Sequence, residues 1–289
     1  MNYQKGGPIF FYTGNDAEIE QFAMNSGILF DLSVIFNAGV LFAEHRYYDA
    51  DPTYGPLSDQ QQGTMAQRAY LSTPQVLADY AQLVPYVLAT NFGLQPVDPQ
   101  PQVIAIAGSY GAVLAAWMRL KYPNIISGAW ISSGPVLSFH GGGMPLGAFD
   151  AVTTATMQAS GCSLDVVRAG FTAIDSLGAS NDTADSLNTI FNISTPSKVG
   201  ANAQDIADLK AWVREGFESL ATVNYPYPTG FFKPLPGWPM EKACSFLTTA
   251  GADDTAAATQ LYQAVAVFYG TGECAGGGFL KNIWRGDYI

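Results

Sequence analysis

The chain has 289 residues, 48% hydrophobic and 13% charged, so it can build a large core plus an insertion or second domain, and it is too apolar to be disordered. A formal net charge of −11 repels phosphate backbones and sets nucleic acid aside as a partner. Two histidines, three scattered cysteines and the absence of a phosphate-loop pattern argue for no metal and no cofactor, and no stretch is apolar for long enough to cross a bilayer.

The amino terminus lacks the basic-then-apolar pattern of a signal peptide. Pro8 to Tyr12 is predicted as a buried strand, ending in the small, polar loop Thr13-Gly14-Asn15-Asp16. A helix is predicted from Glu18 to Phe36 and a strand from Val40 to Ala43. That strand runs into Glu44-His45-Arg46-Tyr47-Tyr48, where charged and aromatic groups crowd together. Glu44 and Arg46 are read there as structural, in an ion pair with stacking. A further helix is predicted from Thr73 to Phe92.

Residues 103–122 then combine an apolar run, the turn Gly108-Ser109-Tyr110-Gly111 and a helix-forming stretch. Strand, sharp turn and helix are the parts of a nucleophile elbow. Crowding at such a turn demands tiny neighbours, supplied by Ala107, Gly108 and Gly111, although Ala107 stands where the commoner pattern has glycine. Ser109 is therefore the candidate nucleophile. The Tyr110 backbone N–H, in the first helical turn, is the candidate oxyanion donor, and Gly14 or Asn15 would supply the second. In this fold the acid and the histidine follow the serine in sequence, yet His140 is the one histidine after Ser109. Neither His140 nor His45 is expected to act as its base.

A strand is predicted from Ile126 to Ser132, and strand patterns cease after Pro135. The glycine run 141–143 leads into alanine-rich helical segments between Phe149 and Leu220. The predicted class is α/β, with a parallel core over 1–135 and a mostly helical domain over 136–289. Cys162, Cys244 and Cys274, with the glycosylation patterns Asn181-Asp-Thr and Asn192-Ile-Ser, tilt the reading toward a secretory route.

Several motifs together are more specific than the elbow. They are Gly6-Gly-Pro-Ile-Phe-Phe-Tyr-Thr-Gly-Asn15, Glu44-His-Arg-Tyr-Tyr48, Gly108-Ser-Tyr-Gly111, Ser133-Gly-Pro-Val136, Asn224-Tyr-Pro-Tyr-Pro228 and Pro239-Met-Glu-Lys-Ala-Cys244. In this order the chain resembles the serine peptidases that include lysosomal Pro-X carboxypeptidase and dipeptidyl-peptidase II. The resemblance implies an α/β-hydrolase core with an inserted helical lid, and a peptide substrate with proline beside the scissile bond. It implies a lysosomal, vacuolar or secreted setting, and leaves the oligomeric state, a homodimer included, open. It makes Ser109 the nucleophile. The family's Asp and His lie in a terminal stretch that returns to the core after the lid, and these are expected beyond residue 289, along with a partner for the odd cysteine. The chain accordingly reads as truncated at both ends, with the Cys274 and Trp284 region as the last part of the lid.

Candidate walls for the proline pocket are Trp212, Tyr225, Tyr227, Phe231, Phe232 and Trp238, and Asp16 is a candidate contact for a substrate amine. Carboxypeptidase and dipeptidyl-peptidase action are not separated by the sequence. The alternatives are an inactive binding protein or fragment that keeps the fold, and a related esterase.

Overall fold

A computed structural model describes residues 3–48, 69–94, 99–139, 141–193 and 198–271. The chain divides into two compact units, Met1–Gly143 and Met144–Ile289, parted at the end of the glycine run 141–143.

The first unit is built on a four-stranded sheet, all parallel, comprising β1 (Ile9–Thr13), β2 (Gly39–Ala43), β3 (Val103–Gly108) and β4 (Gly128–Ser132), in the order β2-β1-β3-β4. β1 lies between β2 and β3, with Ile9 opposite Gly39 on one side and Val103 on the other. All five of its residues are buried, as suits a central parallel strand that reads apolar throughout. Helices α1 (Ile19–Asn25), α2 (Gly27–Phe36), α3 (Thr73–Thr90) and α4 (Ser109–Lys121) connect the strands.

The predicted helix over 18–36 is in fact two. Asn25, Ser26 and Gly27 are poor helix formers, and Ser26 leaves helical geometry at φ −108° and ψ 54°. α2 ends on Asn37 in the left-handed conformation, its N–H donated to the Ser33 carbonyl. α3 begins behind Ser72 with a proline in its first turn and buries Val76, Leu77, Tyr80, Val84 and Leu88.

The second unit contains α5 (Ala148–Ala159), α6 (Leu164–Leu177), α7 (Asn181–Ile190), α8 (Ala203–Thr222), α9 (Pro239–Cys244) and α10 (Asp254–Tyr269). Their apolar faces share one core, including Ile174, Leu187, Leu209, Trp212, Leu220, Leu261 and Val265. Asn202 and Asp253 cap α8 and α10 with side-chain oxygens. The Cys162–Cys244 disulfide ties the turn before α6 to the end of α9, across 82 residues of chain. Among the described residues no helix is long and apolar enough to cross a membrane.

Candidate active site

β3 turns directly into α4, and Ser109 occupies the first helical position with φ +55°. That left-handed conformation costs a residue with a Cβ about 1–3 kcal/mol and persists only where surroundings impose it. The imposing contacts come from the end of β1. Asn15 Oδ1 accepts the Gly111 N–H, and the Thr13 hydroxyl donates to the Gly111 carbonyl at 2.7 Å. Thr13 and Asn15 are both buried, and Asn15 Nδ2 donates to the Tyr12 hydroxyl at 3.4 Å. A Cβ on Gly111 would collide with the Asn15 amide and the Thr13 carbonyl, so only glycine permits the clamp. Ser109 itself is exposed. With the Gly111 N–H spent on Asn15, the Tyr110 N–H is the adjacent first-turn donor available to an anion.

Gly14 lies in the same strand-end loop and is buried. A Cβ there would meet the Ala43 carbonyl and the His45 nitrogen, so close packing against the end of β2 explains this glycine. Asp16 follows as an exposed carboxylate whose charge reaches both His45 and Tyr110.

His45 is almost fully buried. Its Nδ1 lies 2.8 Å from the Arg46 carbonyl, which can only accept, so Nδ1 carries the proton. Nε2 is then the acceptor for the Tyr110 hydroxyl at 3.2 Å. Burial pushes the His45 pKa below its ordinary value, holding the ring neutral. Burial raises that of Tyr110, whose hydroxyl also engages the Thr73 side chain. The result is a chain of hydrogen bonds from Thr73 through Tyr110 and His45 to the Arg46 carbonyl. It holds in place the residue that follows Ser109.

Glu44 accepts the Ile19 N–H at 3.0 Å, a carboxylate at the start of α1. Arg46 makes its ion pair with Asp79 on α3, through two bonds of 2.6 Å, and adds bonds to Gln75 and the Tyr70 carbonyl. The motif at the end of β2 thus fastens that strand to α1 and α3.

The aromatic candidates of the second unit fall into two groups. Trp212 is buried in the helical core, stacked on Tyr269 at 4.0 Å. Tyr225, Tyr227, Phe232 and Trp238 are exposed and Phe231 half-buried, all on one closed loop. The Trp238 N–H donates to the Tyr225 carbonyl at 2.7 Å, and Thr229 pairs with Leu235 inside the loop. Tyr225 and Tyr227 stack at 5.5 Å, and Phe231 contacts Phe232 at 4.9 Å. A cavity of about 750 Å³ also lies within this unit. Its rim charges are spent on each other, Arg214 with Asp150 and Lys210 with Asp175. Its described lining includes no serine, cysteine or histidine. Among the described residues no cluster of three or more potential metal ligands occurs. His140, Cys274 and Trp284 lie outside the described residues.

Sequence reasoning missed Thr13, Thr73, Tyr12 and Asp79. The available signal was local for Thr13 alone: a hydroxyl ending an otherwise apolar strand, next to a glycine.

An exposed serine forced into the left-handed region between a parallel strand and a helix, beside a clamped first turn, has the form of an α/β-hydrolase elbow. The fold is of that class. The profile of the serine carboxypeptidase S28 family matches residues 1–275, and the chain belongs to this family. It is 40% identical over 252 residues to a putative serine protease, pcp-1, of Caenorhabditis elegans, covering 86% of this chain and 44% of the relative. It is 37% identical over 268 residues to lysosomal Pro-X carboxypeptidase of Mus musculus, covering 92% and 52%. Similarity to the thymus-specific serine protease of Homo sapiens is shorter, 33% over 130 residues, covering 45% and 23%. The chain spans about half the length of the first of these relatives.

Proposed function

We propose that these 289 residues carry the nucleophile of a serine exopeptidase that cleaves peptide bonds beside proline. The observation that carries this reading is Ser109, exposed and held at φ +55° by the β1 clamp on Gly111. The Ser109 hydroxyl attacks the scissile carbonyl carbon while a base takes its proton. The carbonyl oxygen becomes an oxyanion held by the Tyr110 N–H and by a backbone donor at Gly14 or Asn15. The C–N bond then breaks, the amine departs with the proton, and water hydrolyses the Ser109 ester.

His45 is not that base, because Nε2 is engaged by Tyr110 and burial disfavours its protonated form. The base and its acid partner are expected beyond residue 289, and the relatives' greater length leaves room for them. On their own, these residues are expected to show negligible peptidase turnover, since a serine-protease site that has lost a triad member keeps only oxyanion-hole catalysis on the order of 10³-fold over water.

Proline selectivity is assigned to the aromatic loop of Tyr225, Tyr227, Phe231, Phe232 and Trp238, while Trp212, buried in the helical core, is left out of it. Large rigid rings suit a rigid pyrrolidine. The Pro-X carboxypeptidases among the relatives support this reading. Their lysosomal designation and the Cys162–Cys244 disulfide support passage through an oxidising compartment to the lysosome.

The test uses the full-length protein with a fluorophosphonate reporter, and peptides with proline next to either a free carboxyl or a free amino end. Labelling that disappears in Ser109→Ala, with turnover of one proline peptide class, supports the proposal. Hydrolysis of a p-nitrophenyl ester without peptide cleavage makes it an esterase. A wild type that never labels leaves the binding-protein reading.

A further inference from the structure

We infer that Asn181 is an attachment site for an N-linked glycan. This rests on the sequon and its geometry, independently of the peptidase reading. Asn181-Asp182-Thr183 has the acceptor pattern Asn-x-Thr with x other than proline. It forms the first turn of α7, behind Ser180, and both Asn181 and Asp182 are exposed.

The side-chain amide is oriented by a neighbour. The Ala201 N–H donates to Asn181 Oδ1 at 3.3 Å, and since a backbone N–H can face only an acceptor, the oxygen and not the nitrogen points inward. Nδ2, the atom that takes the sugar, is therefore directed away from the Ala201 backbone. The attached sugar leaves the Oδ1 bond intact. Thr183 is half-buried, with its hydroxyl bonded to Ser180, while the acceptor residue Asn181 itself stays exposed.

The reaction needs an oligosaccharide carried on a lipid diphosphate. Nδ2 forms a bond to the anomeric carbon, the carbon–oxygen bond to the diphosphate breaks, the lipid diphosphate leaves, and one Nδ2 proton passes to a base of the transferase. No oxidation or reduction is involved. The Cys162–Cys244 disulfide of the same unit requires an oxidising compartment, which is where that transfer takes place. The second sequon differs. Asn192 is half-buried and held at φ +52°, and its Ser194 lies outside the described residues.

The chain is expressed behind a secretory leader in a eukaryotic host, and glycans are removed by peptide N-glycosidase in heavy-oxygen water. The enzyme converts a glycosylated asparagine to labelled aspartate, which peptide mass spectrometry locates. The expected result is label at 181 in wild type and in Thr183→Ser, lost in Thr183→Ala and Asn181→Gln, with one glycan step fewer on gels. Transfer occurs on the nascent chain, so occupancy is read in cell lysate as well as medium, and a variant that fails to fold still reports. Unlabelled Asn181 in chains that carry the Cys162–Cys244 disulfide overturns the inference, as does label at Asn192 alone.

Discussion

Ser109 stores strain where chemistry needs an exposed hydroxyl, and the strain is measurable without an activity assay. Ser109→Gly removes the Cβ that makes φ +55° unfavourable, and is expected to stabilise the first unit by about 1 kcal/mol after the entropy of the added glycine. Urea unfolding followed by tryptophan fluorescence checks this, and a lower midpoint would contradict it. Gly111→Ala has the opposite sign. Its methyl meets backbone and a buried amide, and it is expected to cost about 2–4 kcal/mol and abolish Ser109 labelling in the full-length protein. His45 gives a pH signature. Its folded pKa is lowered from 6.5, first by burial and further by the Arg46 cation, with partial offset from the Arg46 carbonyl and the carboxylates of Asp16 and Asp79. The unfolded chain then binds the proton first, so this stability is present above pH ~6.5 and lost as the pH falls through the folded value. His45→Gln keeps a hydrogen-bonding group that cannot protonate. Its thermal midpoint should fall less steeply than that of wild type on acidification from about pH 7.5 to about pH 5.5, roughly one unit on either side of the ordinary histidine value. Glu215, raised by burial in the helical unit, titrates with the opposite sign in both proteins.

Among the elements, β1 explains most of the site and α9 most of the cross-linking. β1 is apolar until Thr13, then delivers Thr13 and Asn15 to the first turn of α4, so one strand end provides both the core and the clamp. The disulfide at the end of α9 closes a loop of 82 residues, which in the chain-entropy account is worth about 4.5 kcal/mol. Cys162→Ser with Cys244→Ser should lower the melting transition of the helical unit and leave that of the first unit in place. Calorimetry on the double variant decides it, and an unchanged upper and lower transition would show that native packing alone holds the helices. The double replacement matters because a single one leaves a buried thiol.

At the scale of the molecule, the four-stranded sheet has two edges among the described residues, β2 and β4. β4 is exposed along most of its length, with Trp130 and Ile131 in the strand and Val136, Leu137 and Phe139 after it presenting apolar surface. Such an edge favours association, while the net charge of −11 opposes it. Raising salt shortens the screening length from about 30 Å to about 3 Å and removes the repulsion without weakening apolar contact. The 289-residue chain should therefore associate more as salt rises, by light scattering or sedimentation. A species of constant size across that range would mean that the β4 face is not adhesive.

The sequence by itself determined what is local. The apolar run, Gly108-Ser109-Tyr110-Gly111 and the helix-forming stretch after it lie within twenty residues, and steric crowding at a sharp turn is a nearest-neighbour effect. The alternation of strand and helix patterns up to residue 135, and their replacement by helices afterwards, were legible for the same reason. The tertiary structure alone decided how the elbow is held. Asn15 and Thr13 reach Gly111 across 96 and 98 residues, and His45 reaches Tyr110 across 65, separations at which periodicity carries no information. It also sorted the aromatic residues. Trp212 and Trp238 look alike as letters, yet one is stacked in a core and the other exposed on a loop, because burial depends on which elements pack together and not on the side chain's own chemistry.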